Sequence, residues 1–314
     1  MLLLVDNIIW PILLLMAVAI ALVVPATFQN FGSIHLMLYL AVPLGLLSLA
    51  EGIALLSGHF DLSIGAIAGF SAMLTAVMYT QWGLISGPIV GVAVILLAGS
   101  LIGFINGVMI SKLGMNPFLQ TLAFFIIFHG AKTSLSQVTV SGLPEGYLFL
   151  GDNVNVAIAV LIAAFVVMEL MTKYTDLGQA IYGLGSNKES ARAVGINVDR
   201  VVIIVFTISG LLSGLAGLML TGYLGVVSPD IGSGSVFPAF TAAVIGGISL
   251  FGGRGDIRGV LGGVLLLGLL QTALNVSNVA APQIEMINGI VLLLAILLYT
   301  ARKQMRDRII ASGL

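Results

Sequence analysis

Of the 314 residues, 59% are hydrophobic and only 8% are charged, whereas a soluble domain carries roughly 25% charged residues; so few charges cannot clothe a water-facing surface. Cysteine is absent and the net charge is −1, which excludes a disulfide framework or cysteine metal site and leaves no field to attract nucleic acid. An all-α integral membrane protein is the class that remains.

Crossing the hydrocarbon core takes about 20 mostly apolar residues. Ten runs meet that description, near 8–24, 36–57, 62–80, 84–111, 118–135, 154–171, 201–224, 236–250, 259–274 and 284–300. The opening segment lacks a basic start, carries Asp6 and is too long for a signal-peptide core, so it reads as the first membrane helix. With the amino terminus placed in the cytoplasm, the even-numbered connections and the tail hold Lys112, Lys173, Lys188, Arg192, Arg200, Arg254, Arg258, Arg302, Lys303, Arg306 and Arg308. Lys132 alone falls elsewhere, which is the asymmetry expected of cytoplasmic loops and puts both termini inside.

Ten spans divide into two blocks of five, and an odd block makes the second half enter the membrane from the opposite side. In such inverted repeats, short glycine-interrupted segments at matching positions point to the transport path. Span three, with Gly65 and Gly69, and span eight, with Pro238 and Gly246-Gly247, fit that description. Glycines spaced by four (Gly99, Gly103 and Gly107; Gly210 and Gly214; Gly255, Gly259 and Gly263) share one helix face and are expected to be packing seams.

Side chains for enzymatic chemistry are missing. His35, His59 and His129 are scattered, and there is no nucleophile elbow, HExxH pattern or GxxxxGK[ST] phosphate loop. No catalytic residue, metal site or bound cofactor is therefore expected, and any ATP and Mg must be handled by a separate subunit. Acidic residues in the spans are Glu51, Asp61 and Glu169. An ion-coupled secondary transporter, the alternative reading, would need such a group deep in the bilayer, and Glu51 is its one candidate.

The longest connection, about 172–200, is where function is expected to concentrate. Ser186 followed by Glu189 makes a capping-box pattern and Gly195 supplies a stop, which predicts a helix of about two turns. So short a helix persists only when packed. The expectation is that Ala191 and Val194 enter a partner's groove, with Lys188 and Arg192 at its edge.

In this loop Gly178-Gln179-Ala180-Ile181-Tyr182-Gly183-Leu184-Gly185-Ser186-Asn187-Lys188-Glu189-Ser190-Ala191-Arg192-Ala193-Val194-Gly195-Ile196-Asn197-Val198 resembles the coupling segment of the ribose and monosaccharide branch of bacterial ATP-binding-cassette (ABC) importer permeases. The likeness extends over most of the chain. It includes Asp61-Leu62-Ser63-Ile64-Gly65, Asn106-Gly107, Pro117-Phe118 with Thr121-Leu122, Ser209-Gly210-Leu211-Leu212, and Val244-Ile245-Gly246-Gly247 through Gly252-Gly253-Arg254-Gly255. Gln179, His129 and the Val236-Phe237-Pro238 stretch depart from the family's usual arginine, arginine and E-L-D.

The resemblance implies a type II importer permease fold with two inverted halves, one transmembrane domain over residues 1–314, in the inner (plasma) membrane. It implies Gly185, Ser186, Asn187, Glu189, Ala191, Arg192, Val194 and Gly195 as the ATPase-coupling set. Asp61, Ser63, Gly65, Asn106, Pro117, Phe118, Gly246 and Gly247 become candidates for the translocation path or its packing. Implied partners are an ABC ATPase subunit carrying ATP and Mg, an extracytoplasmic substrate-binding protein, a second permease copy or related permease, and the lipid bilayer. The expected solute is a monosaccharide, with nucleosides or branched-chain amino acids as sister possibilities.

Overall fold

The computed structural model describes residues 9–28 and 31–311; Asp6 and the rest of the first eight residues lie outside it. In chain order the helices are α1 (Ile9–Val23), α2 (Phe31–Leu56), α3 (Ile64–Thr80), α4 (Pro88–Lys112), α5 (Pro117–Leu135), α6 (Glu145–Asp152) and α7 (Val154–Tyr174). There follow α8 (Asp176–Ser186), α9 (Lys188–Ala193), α10 (Val198–Leu224), α11 (Val236–Ile245), α12 (Ile257–Val276) and α13 (Ala281–Ala311). A single 3-10 turn, Pro25–Phe28, follows α1. Among the described residues the only β pairing is one isolated bridge, Val140 to Val227.

Six helices, α2, α4, α5, α7, α10 and α12, are long and apolar enough to cross a membrane, and α1, α3, α11 and the first part of α13 are shorter apolar helices. Together they match the ten predicted segments in order. Their ends follow from short polar residues and prolines in the connections. Asn116 caps α5 by accepting from the Leu119 amide at 3.3 Å, with Pro117 at the first helical position. Asn153 caps α7 and Asn197 caps α10 in the same way. Gly225, at φ 68°, closes α10 in the left-handed conformation that favours glycine.

Burial separates the helices into a centre and a rim. The apolar windows of α2 and α10 are 72% and 67% buried, whereas those of α5 and α7 are each 22% buried. Outward-facing Ile126, Ile127, Val166 and Val167 suit a lipid environment. The predicted glycine seam between α4 and α10 is present: Gly99 and Gly103 lie against Gly210 and Phe206, and a side chain on Gly107 would put its Cβ 2.6 Å from the Ile203 Cα. Because lipid tails supply no hydrophobic drive between helices, this close backbone approach is what holds α4 on the centre.

The third predicted seam needs correction. Gly259 and Gly263 of α12 do pack on Gly246 and Ala242, but Gly255 belongs to the turn before α12, at φ 131°. Spans three and eight are short, α3 having 17 residues and α11 ten. They also meet: Gly65 and Gly69 of α3 lie against Gly232 and Ile231, in the segment that leads into α11.

Candidate functional site: the coupling loop and the buried polar cluster

The 172–200 connection folds as two helices. Thr175 caps α8 by accepting from the Gly178 amide at 3.2 Å. Asn187 leaves α8 in an extended conformation and caps α9, its Oδ1 accepting from the Ser190 amide at 2.7 Å. The predicted capping box is therefore one residue out. Ser186 is the last residue of α8, and Glu189 stands at the second position of α9 instead of the third. Gly195, at φ 89°, ends α9 as expected, with the Ile196 amide returning to the Ala191 carbonyl at 3.0 Å.

Backbone contacts fasten this pair to the body. Gly185 sits against the Leu56 carbonyl and the Gly253 amide, which are themselves joined by a 2.9 Å hydrogen bond. Any Cβ at Gly185 would strike fixed backbone. Tyr182 donates to the Gly255 carbonyl at 2.8 Å. Burial, with Asp256 and Glu169 nearby, pushes its hydroxyl up to about 12. Ion pairs surround the seat: Glu169 holds Lys173 at 2.6 Å and Arg258 at 2.8 Å, and Lys173 reaches Asp256 at 3.3 Å. Burial alone would raise the Asp256 carboxyl, but the Arg258 backbone amide, Glu169 and Lys173 together hold it below its usual range.

This seat corrects the expected partner face. Ala191 is 2% exposed and turned into its own chain, while Val194 is 77% exposed. In a six-residue helix the inward side is set by which residue meets the body. Ala191 takes that place, while Ala193, equally small, faces outward. The outward surface is Asn187, Lys188, Glu189, Ser190, Arg192 and Val194. Arg192 and Lys112 flank Asp199 at 3.9 and 3.0 Å.

A second constellation lies inside the bundle. Asp61, wholly buried, accepts from the Ser63 amide at 2.9 Å and the Ser63 hydroxyl at 2.5 Å, and through its other oxygen from Ser209 at 2.9 Å. Asn106 donates to Ser63 at 3.0 Å, and Gln120 to Asn106 at 3.4 Å. Three helices, α4, α5 and α10, and the turn before α3 are thus tied by one buried polar chain, in which each group satisfies another. Glu51 is also fully buried near the Asp61 backbone amide, but neither of its oxygens makes a well-formed hydrogen bond among the described residues.

Of the predicted path residues, the structure brings Asp61, Ser63 and Asn106 together. It keeps Gly65 on Gly232 and Gly246 on Gly259, leaves Gly247 in the turn after α11, and uses Pro117 to start α5. Phe118 is outward-facing, its ring tilted 6.3 Å from Phe60. Sequence reasoning did not single out Gln120 and read Ser209 only as part of a motif; the signal was a polar side chain within a mostly apolar run, beside Thr121 in one case and two residues after Thr207 in the other.

A ten-segment apolar bundle with a packed helical pair at one end is the architecture of a polytopic membrane protein. Residues 33–297 match the family described as branched-chain amino acid transport system / permease component, and the chain belongs to that permease family. It is 33% identical over 295 residues to the ribose import permease RbsC of Bacillus subtilis, covering 91% of this chain and 90% of the relative. It is 30% identical over 298 residues to the fructose import permease FrcC of Rhizobium meliloti, covering 91% and 82%. With the L-arabinose ABC transporter permease AraH of Azospirillum brasilense, identity is 34% over 257 residues, covering 79% and 74%. No solved structure matches.

Proposed function

We propose that this chain is the membrane permease subunit of an ATP-driven importer for a monosaccharide, working with a separate ABC ATPase that carries ATP and Mg. The observation that carries the reading is the α8–α9 pair. It is seated on backbone at the ends of α2 and α12 and presents Lys188, Glu189, Arg192 and Val194 outward. A rigid lever of this kind turns movement of a docked subunit into movement of the helices behind it. The names of the related permeases, for ribose, fructose and arabinose, support a monosaccharide as the solute. An extracytoplasmic binding protein would deliver it, and a second permease copy or a related permease would complete the complex, with both termini in the cytoplasm of an inner-membrane protein.

Two measurements test this. In proteoliposomes holding permease, ATPase and binding protein, uptake of at least one of ribose, arabinose and fructose should require ATP. Uptake that follows an ion gradient without ATP, or uptake of none of these sugars, would overturn the reading. Because the chain has no cysteine, single cysteines near Glu145 and Asp230 should label from outside sealed cells, and those near Arg192 and Arg254 should not.

A further inference from the structure

At the end of the bundle opposite α8–α9 the helices part around a recess of about 290 Å³, near the lower end of the roughly 300–1,000 Å³ range of small-molecule pockets. That it lies at the opposite end follows from the chain path. α2 and α12 meet α8–α9 through the Leu56 end of one and the turn before Ile257 of the other, and the recess is lined by Tyr39, early in α2, and Gln271, late in α12. Tyr223 stands at the far end of α10, while Glu285 and Asn288 come from the first turns of α13 and Ser235 from the cap position of α11. At 1.5 Å per residue, Gln271 and Asn288 sit roughly 7 to 11 Å inside the ends of their helices.

The wall is chemically mixed. Tyr39 and Tyr223 meet edge to face, with ring centroids 5.3 Å apart. Pro43, also on the wall, lies within α2 and has no amide hydrogen, so the Tyr39 carbonyl four residues earlier loses its helical partner. Among the described residues, the side chains of Gln271, Glu285, Asn288 and Ser235 make no hydrogen bond. Two amides at this depth are costly against lipid tails and are normally turned towards a wet cavity, and the exposed Glu285 stands one turn nearer the helix end. Their unused donors and acceptors therefore await a ligand. Amides and a carboxylate beside aromatic rings suit a compact, uncharged, hydroxyl-rich molecule: hydroxyls pair with the polar groups, and the apolar C–H face of the ring lies on tyrosine. A purely apolar solute would leave Gln271, Glu285, Asn288 and Ser235 unpaired, whereas the Ser233 hydroxyl on the same wall already accepts from Lys132 at 3.3 Å and the Tyr39 hydroxyl donates to the Gly151 carbonyl.

We propose that this recess is an entry subsite where a neutral sugar is held within a single permease chain, on the side remote from the coupling helices. The proposal rests on the importer reading above and specifies where in the chain that substrate is recognised.

The test uses the complete reconstituted importer and whichever sugar the wild type takes up. Glu285→Gln and Asn288→Ala should each raise the sugar KM about tenfold or more, the loss of one or two charge-assisted or amide hydrogen bonds, with ATPase co-purification and basal ATP hydrolysis unchanged. Glu285 is exposed, so its exchange leaves the fold intact. In a Ser235→Cys variant, a membrane-impermeant thiol reagent should react, and the sugar should slow that reaction several-fold beyond any slowing by sugar-free binding protein. Wild-type KM in both variants, or labelling indifferent to sugar, would overturn the subsite while leaving the importer reading standing. A wild type that takes up no sugar would overturn both.

Discussion

The two ends of the bundle are built on opposite principles. Around α8–α9, glycines let backbone meet backbone, with Gly185 on Leu56 and Gly253 and ion pairs from Glu169 to Lys173 and Arg258 outside them. At the far end Pro43 breaks a helical hydrogen bond, and amides and a carboxylate stand unpaired around an open recess. One end is organised to keep its shape under load and the other to accept something. Between them the Asp61 cluster ties the turn before α3, five residues on from Leu56, to α4, α5 and α10 by hydrogen bonds.

The largest expected effect comes from breaking the rigid end. Gly185→Val places a branched side chain against the Leu56 carbonyl and the Gly253 amide, neither of which can move aside as a flexible side chain would. A cost of about 4 kcal/mol is expected from such overpacking, read as a large fall in the melting temperature of the detergent-purified protein. A melting temperature unchanged from wild type would show that the seat is loose and that the contrast between the ends is false.

Next in size is the link between the ends. Asp61→Ala removes the acceptor for Ser63 and Ser209 in a fully buried place, at a cost of about 3 kcal/mol. Glu51→Gln, by contrast, exchanges a side chain with no well-formed hydrogen bond among the described residues for one of nearly the same shape, and uptake should remain largely intact. Loss of ATP-driven uptake in Glu51→Gln, with normal insertion and stability, would favour ion coupling through this carboxyl.

The positions of the spans were legible because the bilayer demands long apolar runs, and the α4–α10 seam because glycines four apart can only share a face. The details at α9 were not. Ser186 and Asn187 are both good caps, and only the end of α8 decides between them. Likewise, nothing local tells which side of a six-residue helix turns inward, so Ala191 was assigned to a partner although it packs on its own chain. The short α6 and the whole of α8 escaped notice even though Thr175 and Asp176 form an ordinary helix start. The Asp61 cluster was half visible: Asp61, Ser63 and Asn106 belong to recognisable motifs, but their pairing with Ser209 and Gln120 joins residues up to 148 positions apart, which no local pattern encodes.

The inward placement of Ala191 changes what substitutions in α9 should do, and this gives the smaller predictions. Ala191→Glu should now lower the stability of the isolated permease, because a carboxylate would be driven between α9 and the body. Val194 faces outward, so Val194→Asp should leave the melting temperature unchanged while reducing co-purification of the ATPase and ATP-dependent uptake roughly tenfold or more, as expected for an apolar contact residue at an interface. Lys188→Ala sets the lower bound. Its ammonium is exposed and forms no ion pair among the described residues, and a single surface charge of that kind changes affinity by less than about fivefold. Titrating the ATPase against each purified variant, beside its thermal melt, separates the cases. Val194→Asp should weaken binding without melting early, Ala191→Glu should melt early, and Lys188→Ala should do neither. If Val194→Asp binds as tightly as wild type while Lys188→Ala does not, docking at this end is governed by charge, and the apolar outward face of α9 is not the contact.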